Sequence, residues 1–139
     1  MARSLELTVL VLACVAACGS SLPGPETQPH PEATRYLEVP YPPPAARVEI
    51  VPPAPQVSAV WIDGEWSWQG KQWVWEGGGW VIPPRDAFFA PWFIHRQANG
   101  RLFFTGGAWH ARNGRPLPKP PIVTAARAGL GSEANGDGR

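Results

Sequence analysis

Apolar and polar positions alternate with period two through residues 61–80, WIDGEWSWQGKQWVWEGGGW. Trp66, Ser67 and Trp68, then Gln72, Trp73, Val74 and Trp75, set an indole at every second position, as half-exposed β-strands do. Turn signals separate the runs: Asp63-Gly64, Gly70, and Gly77-Gly78-Gly79. Asp-Gly between alternating runs is a strong hairpin signal, because both central residues of a type I′ turn need positive φ. A two-residue turn there places Trp61 opposite Trp66. A second at Gly70-Lys71 places Trp66 opposite Trp75 and Trp68 opposite Trp73. A four-residue loop from Glu76 to Gly79 places Trp75 opposite Trp80. All six indoles then share one face, with Trp61, Trp66, Trp75 and Trp80 in a row across four strands.

The spacing repeats. Trp61, Gly64 and Trp66 recur fourteen residues on as Trp75, Gly78 and Trp80, and a degenerate copy twenty-nine residues later has Phe104, Gly107 and Trp109 in FTGGAW. Before that copy, WFIHRQANGRLFF is a further hairpin candidate with Asn99-Gly100 as its turn. That turn sets His95 opposite Phe104 and leaves His110 on the other face. Gly64, Gly70, Gly78, Gly100 and Gly107 are thus expected at turns. The fold expectation is all-β: one small antiparallel meander of about six short strands over residues 57–111.

Proline confines that domain. Eleven of the eighteen prolines lie between Pro23 and Pro55, four more between Pro116 and Pro121, and all eight tryptophans between 61 and 109. Residues 18–56 therefore read as an extended linker, reaching at most about 100 Å at about 3.1 Å per residue if wholly polyproline II. Residues 112–139 read as a disordered Pro/Gly-rich tail. A core of some 55 residues is marginal alone, and heavy aromatic use compensates.

The first residues add an address. MARSLELTVLVLACVAAC has one early base and an apolar run from Leu7 to Ala17, too short to span a bilayer and suited to a signal segment, residues 1–17. Its end, VAAC at Val15 to Cys18, resembles the lipobox of bacterial lipoproteins, in which the cysteine carries lipid and becomes the first residue. That resemblance implies a lipid on Cys18, and Gly19 after it implies the outer membrane, facing the periplasm. The alternative destination is secreted or periplasmic. Cys14 would leave with the signal, so the mature chain would hold no internal disulfide.

WIDGEW and WEGGGW both fit W-x-x-G-x-W, and the longer run to Pro84 is similar to the YXWGXW-repeat family of small exported bacterial proteins. The similarity covers about residues 57–111. It implies export and a tryptophan-rich repeat domain, and it carries no catalytic residue.

Net charge is +1, which gives no global field for nucleic acid. The charge is nonetheless divided. Seven acids stand against three bases from Glu26 to Glu76, and seven bases against one acid from Arg85 to Arg127. Solvated faces account for this, and a basic face toward anionic lipid or polysaccharide is the sharper alternative. The domain's histidines are His95 and His110 on opposite faces, which argues against a shared metal. Asp63 and Glu76 are explained by turns and Glu65 by a solvent face, so no acid pair, cofactor or catalytic group is implied.

Two roles remain open for Trp61, Trp66, Trp68, Trp73, Trp75 and Trp80. They are a core, or an exposed platform that binds envelope polysaccharide such as peptidoglycan. The rival to a structural or glycan-binding envelope lipoprotein is a protein-interaction or self-assembly module that uses this face.

Overall fold

The structure, a computed structural model, describes residues 21–130. The signal segment, Cys18 and the end from 131 lie outside the described residues. The described chain is all-β, with thirteen short strands in five small antiparallel sheets.

Two bent hairpins organise it. In the first, β3 (Val60–Ile62) runs into β4 (Glu65–Gln69), and β5 (Gln72–Glu76) returns into β6 (Gly79–Val81). At the tip Trp66 faces Trp75 and Trp68 faces Trp73, around the tight turn at Gly70-Lys71. At the base Trp61 faces Trp80. Two residues are skipped on each arm, 63–64 and 77–78, so the register passes unbroken through the kink.

This differs from a meander. Asp63-Gly64 does not reverse the chain, so β3 pairs with β6 and not with β4. Trp61 meets Trp80, the far end of the expected row, and the row closes into facing pairs. The physical cause is the chain's own symmetry about the Gly70 turn. Both arms hold an indole five residues apart, so one long hairpin pairs all six with no further turn.

The second hairpin repeats the plan. β7 (Ala87–Ala90) leads into β8 (Phe93–Arg96), and β9 (Leu102–Thr105) returns into β10 (Ala108–Ala111). Phe89 faces Trp109 at the base and Ile94 faces Phe104 at the tip. Residues 91–92 and 106–107 form the kink. The tip loop is wider than Asn99-Gly100: Gln97 N–H donates to Arg101 O at 2.9 Å, as does Gly100 N–H to Gln97 O. The register therefore moves by one, and His95 faces Phe103, not Phe104.

The flanking segments complete these sheets. β1 (Leu37–Val39) adds to the second tip along β9, while β11 (Pro116–Leu117) adds to β10 and β12 (Ile122–Ala125) to β6. β13 (Arg127–Ala128) pairs with β2 (Glu49–Ile50). The stretch 116–128, expected as disordered tail, instead ties the two hairpin bases together. Prolines there occupy edge and connecting positions, where no ladder donor is needed.

Charge division acquires a reason here. All three ion pairs of the described residues, Arg101–Glu38, Arg112–Glu26 and Lys119–Glu76, join an acid of the first half to a base of the second. Hydrogen bonding to the arginine holds the Glu38 and the Glu26 carboxyls below the usual range.

Candidate functional site

Six indoles demand six acceptors, and the chain meets most of them from its proline-rich segment. Trp73 Nε1–H donates to Tyr41 O at 3.2 Å, Trp66 to Ala45 O at 3.1 Å, and Trp80 to Pro52 O at 2.8 Å. Trp75 donates to Glu49 Oε1 at 3.1 Å, and Trp61 to Asp63 Oδ1 at 2.8 Å. Residues 41–52 are thus a strap across the tryptophan face rather than a spacer. A prolyl segment lacks N–H donors but keeps every carbonyl, so a surface that offers only donors is its natural complement. Arg47 lies over the Trp66 ring at 5.1 Å.

The rings also pack on each other. Trp61 and Trp80 meet edge to face at 5.5 Å, Trp66 and Trp75 at 5.2 Å, and Trp68 and Trp73 at 5.1 Å, all within the favourable range for aromatic pairs. Trp61 and Trp80 are buried core residues with Ala59. Trp68 and Trp73 lean on Val39, Leu102 and Phe104, the core of the second tip, and Trp66 and Trp75 are half-buried. The six residues come together as expected, but as interior and strap-covered rings, not as an open platform.

The glycines divide by cause. Gly70 (φ 65°) and Gly100 (φ 86°) hold left-handed backbone at turns, as expected; Gly64, Gly78 and Gly107 do not. These three sit at the kinks, where a Cβ would collide. At Gly78 it would lie 2.6 Å from Ile62 O and 2.9 Å from Glu49 Oε2; at Gly107, 2.6 Å from the Phe89 ring and 2.7 Å from Glu65 Oε2. The space admits a carboxylate to the amide. Gly78 N–H donates to Glu49 Oε2 at 3.0 Å, and Gly107 N–H to Glu65 Oε1 at 2.9 Å. Glu49 latches the strap to the first kink, and Glu65 latches the first hairpin to the second.

Between the kinks lies a cavity of about 150 Å³, lined in part by Glu65, Glu76, Lys119, Ile62 and Trp109. Glu65 and Glu76 face each other in register. Burial pushes the Glu65 carboxyl up against the opposing pull of the Gly107 amide, while the bond from Lys119 at 2.8 Å draws Glu76 down. Carboxylates driven apart in this way resemble an acid–base pair. The space is nonetheless below the roughly 300–1,000 Å³ of ordinary ligand pockets.

A second hollow, of about 420 Å³ and more open, is lined by Thr27, Gln28, His30, Tyr36, Trp92 and Phe93 among others. The alternation pattern gave no sign of His30, Glu49 or the strap carbonyls. The one available signal was the count of indole donors that had to be matched. Set against protein-family models, curated proteins and solved structures, the chain finds no match in any of the three.

Proposed function

We propose that this chain is an exported, lipid-anchored protein of the bacterial cell envelope, non-enzymatic, whose strapped double hairpin is a rigid structural module on the periplasmic face of the outer membrane. The address is supported by VAAC at Val15 to Cys18, and the repeat resemblance agrees with export. The observation that carries the reading is how early the chain docks. Trp61 N–H donates to Pro23 O and Phe89 N–H to Glu26 O, both at 2.8 Å. Four residues separate Cys18 from Pro23, a reach of at most about 18 Å. A lipid on Cys18 then holds the body against the headgroups, not at the end of a long tether. On the same edge Leu22, Trp92 and Phe93 are 49%, 44% and 49% exposed, and aromatic rings of this kind favour the membrane interface.

The test has two readouts. Cys18→Ser should move the protein from the membrane to the soluble fraction; unchanged fractionation refutes the anchor. In vesicles, lipids spin-labelled near the headgroup should quench the lipidated protein's fluorescence, with most of the quenching lost in Trp92→Phe. An anchored protein that such lipids leave unquenched refutes the close seating.

Polysaccharide recognition is favoured at one place, the 420 Å³ hollow, whose Trp92, Tyr36 and Phe93 offer rings and whose Thr27 and Gln28 offer polar groups. Self-assembly through the tryptophan face would require displacing residues 41–52.

A further inference from the structure

His30 comes from the segment read as linker and His110 from β10, yet their rings lie 6.1 Å apart between centroids, planes at 89°. His30 Nε2 is 2.6 Å from Pro91 O, and His110 Nδ1 is 3.3 Å from Gly114 O. A carbonyl only accepts, so each of these nitrogens carries the proton. The other nitrogen of each neutral ring must then hold a lone pair. Those two atoms, His30 Nδ1 and His110 Nε2, are buried without a hydrogen-bond partner among the described residues, and His110 as a residue is only 6% exposed. Stacking of His110 on Phe88 at 5.4 Å engages the ring face and leaves the in-plane lone pair unsatisfied. An orphaned buried acceptor is costly, and two in one contact call for a reason.

We infer that His30 and His110 form a two-imidazole site for a copper ion. Metal-bound histidines typically donate the second ring N–H to a carbonyl, which fixes the tautomer, and both rings do so here. With metal–nitrogen bonds of about 2.0–2.1 Å, and ring nitrogens about 1.1 Å from the ring centre, two imidazoles on one ion stand about 5.2 Å apart at a tetrahedral angle and about 6.3 Å when linear. The spacing of 6.1 Å lies near the linear limit. That fits two-coordinate Cu(I) or a trans pair on tetragonal Cu(II) better than tetrahedral zinc, and copper also leads the affinity order for nitrogen donors. No group of three histidine, cysteine or carboxylate ligands is present among the described residues, so further positions on Cu(II) go to water or small ligands. The 420 Å³ hollow lies against His30. His95 also has a buried Nδ1, but its ring neighbours are Tyr36, Phe93 and Phe103 at 5.5–5.7 Å rather than a second imidazole, so it is the internal control.

The experiment is a Cu(II) titration of the chain carrying Cys14→Ser and Cys18→Ser, so that no thiol competes, followed by electron paramagnetic resonance. One ion per chain with coupling to two imidazole nitrogens is expected. His30→Gln and His110→Gln should each weaken binding at least tenfold, and His95→Gln should leave it unchanged. Absence of stoichiometric binding, or equal affinity in the first two variants, overturns the site. Because those substitutions also touch packing, the parent spectrum decides alone: coupling to fewer than two imidazoles refutes the pair.

Discussion

Alanine at Gly78 would set a methyl carbon 2.6 Å from Ile62 O, 2.7 Å from Gly64 N and 2.9 Å from Glu49 Oε2. Two of these three neighbours are backbone of the facing arm, which cannot swing aside as a side chain does. Relief requires parting the arms at the kink, and that also pulls Gly78 N–H from Glu49, 3.0 and 3.1 Å away at its two oxygens. Overpacking a tight site costs about 1–3 kcal/mol, and loss of a bond to a charged acceptor adds about 1–2 kcal/mol where water can partly replace it. We expect a loss of about 3 kcal/mol for Gly78→Ala.

Gly70 supplies the contrast. It holds a φ of 65° with nothing within 4 Å of a Cβ, so alanine there meets only the left-handed backbone, at about 1–2 kcal/mol. Asparagine tolerates that region. Gly70→Asn should therefore stay within about 0.5 kcal/mol of the parent, while Gly78→Asn, bulkier than alanine, should unfold the chain more readily than Gly78→Ala does. Equilibrium urea unfolding followed by tryptophan fluorescence measures all four variants. If Gly78→Asn proved as harmless as Gly70→Asn, Gly78 would be an ordinary turn residue and the kink geometry would be wrong.

The two latches give further tests. Glu49→Ala strips the acceptor from Trp75 Nε1–H and Gly78 N–H and should cost about 2–3 kcal/mol in the same unfolding assay, with Glu49→Gln costing less because one carbonyl remains; an alanine variant as stable as the parent would mean the strap carries no load. For Glu65, burial raises the pKa, so ionisation is harder in the folded state. Its favourable contribution is full below the ordinary value of 4.5 and is lost as pH rises through the folded pKa. Glu65→Gln keeps an acceptor for Gly107 and escapes that loss, so it should be more stable than the parent at pH 7, with the advantage vanishing below about pH 4. A pH-independent difference between the two proteins would contradict this.

Much of the hairpin tip was legible because alternation and a tight turn are local facts. Trp66–Trp75 and Trp68–Trp73 follow from Gly70-Lys71 and period two alone. Trp61–Trp80 did not, since Asp63-Gly64 carries the composition of a type I′ turn. In fact Asp63 serves the Trp61 indole, and Gly64 makes room for the Trp75 ring and the Glu49 carboxylate. Small-residue signals report that a Cβ is unwelcome; they do not say whether backbone torsion or a neighbour is the cause. The strap was missed for a related reason. Proline was weighed for the donor it lacks, and the tryptophans were weighed for their rings, when the decisive match is between indole N–H and prolyl-segment carbonyl.

That match also explains why the repeats diverge where they do. Each hairpin has a kink of two skipped residues per arm, an aromatic pair at its base, and a glycine amide latched by a glutamate from earlier in the chain. They differ at the tip. The second tip receives β1 as an ordinary backbone partner along β9, and the positions equivalent to Trp66 and Trp73 are Ile94 and Leu102, which bring no donor. Among the described residues the first tip receives no third strand. Its partner is the run from Tyr41 to Pro44, four residues of which three are proline, continuing to Ala45, and such a run cannot form a regular ladder. Trp66 and Trp73 therefore donate from their side chains, to Ala45 O and Tyr41 O, the bonds that backbone amides would otherwise supply. Tryptophan in one copy and isoleucine or leucine in the other is thus a consequence of what lies across each tip: where the neighbour can pair as a strand, an apolar side chain suffices, and where it is proline-rich, the donor has to come from the ring.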